Sequence, residues 1–127
     1  MYKEIKIIVV VIGLIIGLDI ITNNYTKQSL ERITSKLNAL REYVLNEDKQ
    51  NAEEQMRIVK EIWEERYKTL AFYIEHDELE KVETELTKLL AYINVKEYKE
   101  CIAELDTTIF ILEHIKEKEE FHLRSIF

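Results

Sequence analysis

Along most of the chain, apolar residues recur every three to four positions, and one stretch near the start has no polar interruption. Residues 7–18 read IIVVVIGLIIGL, with Lys3 and Lys6 before them and Asp19, Ile20 and Ile21 after. The rest divides into four striped segments of period near 3.5, which predicts amphipathic helices. The first stripe is Leu30, Ile33, Leu37, Leu40 and Val44; the second is Met56, Val59, Trp63, Tyr67, Leu70 and Ile74. The third is Leu79, Val82, Leu86, Leu89 and Ile93; the fourth is Tyr98, Ile102, Leu105, Ile109, Leu112 and Ile115. LAFYI at 70–74 is apolar all round, which predicts that it is buried or masked. Phe121, Leu123, Ile126 and Phe127 form an apolar tail expected to fold back onto the bundle.

Polar interruptions set the boundaries. Asn46–Glu47–Asp48 offers a cap for the second helix. Asp77 with Glu80, and Asn94 with Glu97, have the spacing of capping boxes for the third and fourth. Links this short imply antiparallel neighbours. The expected fold is all-α: a single N-terminal transmembrane helix followed by an antiparallel bundle of about four helices. The division falls at 1–22 for the membrane segment and 23–127 for the bundle with its short tail. Whether the membrane helix runs straight into the first bundle helix through Thr22–Asn24 is left open by the residues.

From Ile5 to Ile21 a helix is about 25 Å long, a little under the ~30 Å hydrocarbon core. Its aliphatic side chains contribute roughly −3 to −6 kcal/mol to insertion. A cleaved signal peptide is the rival reading, but no small-x-small cleavage pattern follows the run, which favours an uncleaved anchor. Lys3 and Lys6 on the short side place the N-terminus in the cytoplasm and the bundle outside it. Both glycines of the chain, Gly13 and Gly17, lie in this segment with G-x-x-x-G spacing. They predict close approach of another membrane helix, from a partner protein or a second copy.

Composition narrows the function. The chain has 127 residues, no proline and a net charge of −7 with acids and bases interspersed, which suits one soluble helical domain and supplies no basic face for nucleic acid. The single cysteine, Cys101, makes no internal disulfide and reads as a buried apolar residue. No metalloprotease, nucleophile-elbow or phosphate-loop motif occurs. No catalytic activity and no cofactor are therefore expected. His76, Glu78 and His114 are the candidates for a metal site if the last helix packs against the second link. Trp63, Tyr67, Phe72, Tyr73 and Tyr98 read as core aromatics sooner than as a ligand pocket. The expected role is a non-catalytic interaction or accessory module held to membrane lipid. The alternative is a ligand- or metal-sensing bundle using the His76/His114 region.

The stretches IIVVVIGLIIGLDIITNNY, EIWEERYKTL, HDELEKVETELTKLLAYI and AELDTTIFILEHI together resemble the bacterial family called domain of unknown function 4363. The resemblance covers nearly the whole chain. It implies a small protein, of a kind found mostly in anaerobic spore-formers, in which one apolar N-terminal segment leads into an acidic helical region. It also implies proximity to multi-span membrane proteins of the family labelled domain of unknown function 421. It implies no activity and no functional residues.

Overall fold

A computed structural model describes residues 1–126. The chain forms α1 (Tyr2–Leu45), α2 (Lys49–Leu70), α3 (His76–Asn94) and α4 (Tyr98–Ile126), with no strand among the described residues. The helices run up, down, up and down. α1 packs on α2 and α4, and α3 closes the ring by packing on both.

The open question at Thr22–Asn24 is answered by α1, which runs unbroken from the apolar segment into the bundle. Residues 19–26, DIITNNYT, have modest helix propensity. Side-chain bonds hold them: the Thr22 hydroxyl donates to the Asp19 carbonyl at 3.1 Å and the Thr26 hydroxyl to the Thr22 carbonyl at 2.8 Å. Burial of α1 begins at Asn23 and continues through Thr26, Leu30, Ile33, Leu37, Leu40 and Val44. The 3,4 spacing of the first stripe thus extends one heptad further back than its aliphatic residues do.

The first and third stripes are buried in full, as is the second apart from the half-buried Tyr67. The fourth is rotated from the expected line. Its innermost residues are Cys101, Leu105, Thr108, Leu112 and Ile115, and Ile102 and Ile109 form a partly buried shoulder. Thr108 is tolerated there because its hydroxyl bonds to the Glu104 carbonyl at 2.7 Å.

Three local expectations are corrected. LAFYI is not all masked: Leu70 and Ile74 are buried, but the helix ends between them and Phe72 points outward, 89% exposed. The two capping boxes do not form. Asp77 lies inside the first turn of α3, whose N-cap is Glu75, and Asn94 is the last residue of α3. The tail does not turn back; Phe121 to Ile126 continue α4, and Phe127 lies outside the described residues. The Asp48 cap is present, its carboxylate accepting from the Asn51 backbone N–H at 3.2 Å.

Candidate functional site at the base of the bundle

The up-and-down order brings three segments together where the apolar run ends. These are residues 19–26 of α1, the link between α2 and α3, and the last turns of α4. Tyr73 in the link reaches across to α1. Its hydroxyl lies 2.6 Å from the Thr26 hydroxyl and 3.1 Å from the Thr22 carbonyl, so the two hydroxyls share that carbonyl and each other. Lys118 of α4 closes the other side, with its ammonium 3.0 Å from Glu78 and 3.6 Å from Glu75.

Between them lies a cavity of about 380 Å³, lined in part by Asp19, Asn23, Tyr73, Glu78, Glu119 and His122. Asn23 is buried and its side-chain Nδ2 has no hydrogen-bond partner. Burial pushes the Glu119 carboxyl above the usual carboxylate range; His122 and Lys118 oppose this, and Glu78 and Asp19 reinforce it. Burial likewise raises the Tyr73 phenol, against the pull of its bond with Thr26. The cavity is a polar recess at the foot of an otherwise aliphatic bundle.

The residues singled out from sequence lie elsewhere or are otherwise engaged. His76 is exposed and bonds through Nε2 to Glu80 of its own helix at 2.9 Å. Glu78 is held by Lys118. His114 is exposed, its ring stacked near Phe110 with centroids 6.5 Å apart. It points away because its neighbours Leu112 and Ile115 face the core. Among the described residues, no three His, Cys, Asp or Glu side chains gather as a metal site. Gly13 and Gly17 lie on the apolar part of α1, and a Cβ built on either meets nothing within 4 Å. That face is not packed against the rest of the chain.

Sequence reasoning missed Asn23, Glu119 and His122, and it read Tyr73 as a core aromatic where the structure places it in the lining of the recess. A signal for Asn23 was present: it stands in phase with Leu30 and Leu37, a polar residue at a core position. For Glu119 and His122 no local signal exists, because the recess depends on where α4 ends relative to α1. The buried reading of Cys101 holds: its surroundings push the thiol up to about 11.

No curated protein and no solved structure matches this chain. A family model does, over residues 20–126, from the close of the apolar run to the end of α4. The four-helix chain therefore belongs to the family described as Domain of unknown function (DUF4363).

Proposed function

We propose that this protein is a single-pass membrane protein and that its bundle is a non-catalytic interaction module held against one face of the bilayer. The observation that carries the reading is the continuity of α1. One helix contains an 18-residue stretch of mean hydropathy 2.6, none of it buried within the chain, and then supplies a full core stripe to the bundle. A face of aliphatic side chains that long has no water-compatible role in the molecule. Lipid satisfies it, and the helix satisfies its own backbone there. With Lys3 and Lys6 on the near side, the N-terminus is cytoplasmic and the bundle extracytoplasmic. The open face at Gly13 and Gly17 suits a second membrane helix, whether from another protein or another copy. The only thiol is buried and held protonated, which removes it as a nucleophile.

Fractionation tests the anchor. The full-length chain is expected to stay with carbonate-washed membranes, and external protease on spheroplasts is expected to digest the bundle. Recovery of the intact chain in the soluble fraction, or a mature species starting near Thr22, rejects the reading. Cross-linking from Gly13→Cys tests the seam. Adducts are expected from the glycine face and not from Leu14→Cys, which faces another way.

A further inference from the structure

We propose that the base of the bundle makes a second lipid contact, in which Phe72 and Phe121 insert into the headgroup layer of the bilayer that α1 spans. The proposal rests on the membrane-anchor reading. Its starting point is where the phenylalanines lie. Phe72, Phe110 and Phe121 are 89%, 69% and 73% exposed, whereas the buried core is mostly Leu, Ile and Val and contains no Phe among the described residues. A phenyl ring left in water at a tight link is unfavourable unless something covers it.

Their height fixes what covers two of them. Phe72 adjoins Tyr73, which bonds to Thr22 and Thr26, so the link stands level with those residues. Phe121 lines the same recess as Asp19 and Thr22. Residues 22–26 lie about 2–8 Å beyond Ile21 along the helix. The headgroup layer extends about 5–7 Å outside the hydrocarbon core on each side. The apolar run is also about 5 Å shorter than that core, so the residues that follow it begin at the headgroup boundary even where the bilayer thins to match. Both rings therefore fall at the interface, on two elements that approach α1 from different directions. α1 has no break to let the bundle swing away. The far end of the bundle, marked by Leu45 and Val95, is about 35 Å higher and out of reach.

The chain carries its own labelling control, since Cys101 is buried and its thiol is raised to about 11, leaving an introduced cysteine as the reactive one. Full-length A71C, H122C, L14C and V95C are each labelled with an environment-sensitive dye. They are reconstituted in phosphatidylcholine–phosphatidylglycerol vesicles containing lipids spin-labelled at the headgroup or in the acyl chain. Dye at positions 71 and 122 is expected to be quenched by headgroup spin labels several-fold more than dye at 95. Dye at 14 is expected to be quenched by acyl-chain labels. Adding Phe72→Ser and Phe121→Ser is expected to cut the quenching at 71 and 122 without bringing it to the level of 95, since α1 still holds the base at that height, and to leave 14 unchanged. Quenching at 71 and 122 no greater than at 95, with 14 still quenched, overturns the docking and leaves the anchor standing. Quenching at 71 and 122 that is the same with and without both rings also overturns it. An unquenched dye at 14 removes the anchor reading itself.

Discussion

Glu85 and Glu104 meet across the seam between α3 and α4, and each has one carboxyl oxygen buried without a partner. Burial pushes the Glu85 carboxyl above the usual range, and the neighbouring Glu104 carboxyl pushes it further; Lys88, 3.4 Å away, pulls the other way. An acid whose pKa is raised by folding binds its proton more tightly in the native state. Its contribution is fully present below the unfolded carboxylate pKa and is lost as pH rises through the folded value. Glu85→Gln keeps a donor toward Glu104 and removes the ionisation. At pH 7.5 it is expected to stabilise the bundle by about 1 kcal/mol, the net worth of one hydrogen bond. That raises Tm by about 4–8 °C for a domain near 100 residues. At pH 4 the gain should shrink, because the raised Glu85 carboxyl then holds its proton in the wild type. Thermal melts of both proteins in detergent at the two pH values decide it, and an equal gain at both assigns the effect to something other than titration. This pair was invisible in the sequence, where nothing shows that Glu85 and Glu104, on different helices, face each other.

The two links at the far end show how a chain without spare glycine makes helical hairpins. After α1, Glu47 takes a left-handed backbone, φ 54, and the Asp48 N–H bonds back to the Tyr43 carbonyl at 2.9 Å. After α3, Lys96 does the same, φ 61, and the Glu97 N–H bonds to the Tyr92 carbonyl at 2.9 Å. Both are helix C-terminal motifs whose left-handed position usually holds glycine. An L-residue there costs roughly 1–2 kcal/mol, and glycine gives back part of that gain through the freedom of the unfolded chain. Glu47→Gly and Lys96→Gly should therefore each stabilise the bundle by about 0.5–1 kcal/mol, read as a higher urea midpoint with unchanged slope. A lower midpoint in both would mean that the side chains contribute more than the backbone strain removes. The same motif explains why Asn94–Glu97 fails as a capping box. The last core residue of α3 is Ile93, so the helix carries Asn94 and spends the next residues on its own C-terminal bonds. Spacing alone revealed the stripes of all four helices, because burial demands a periodic face. It misplaced the face of α4 by one position, since Thr108 and Cys101 are core residues that a search for large aliphatics passes over. The recess around Asn23, Tyr73 and Glu119 was illegible for a different reason. It is made by three segments far apart in sequence that meet only once the hairpin order is known.

For the molecule as a whole, the unbroken helix fixes which way the glycine face points relative to the bundle and, on the proposed membrane reading, how high the bundle stands above the bilayer. Helical geometry allows each to be changed alone. Two residues inserted after Ile21 turn the span by about 200° relative to the bundle and lift it only about 3 Å. Seven residues of mixed alanine, glutamate and lysine restore the facing to within about 20° and lift the bundle about 10 Å. The short insert should leave lipid quenching of a dye at A71C nearly unchanged, because a base docked as proposed stays within the ~5–7 Å headgroup layer after a lift of about 3 Å. It should abolish any cross-link that needs the glycine face and the bundle to meet one partner together. The long insert should do the reverse, cutting the quenching at position 71 several-fold while cross-links through Gly13→Cys persist. Quenching at position 14 should be the same in all three proteins. If the seven-residue insert leaves position 71 as close to lipid as before, the joint at Thr22–Asn24 bends. The bundle is then tethered to the membrane, and α1 is not the strut that sets its height.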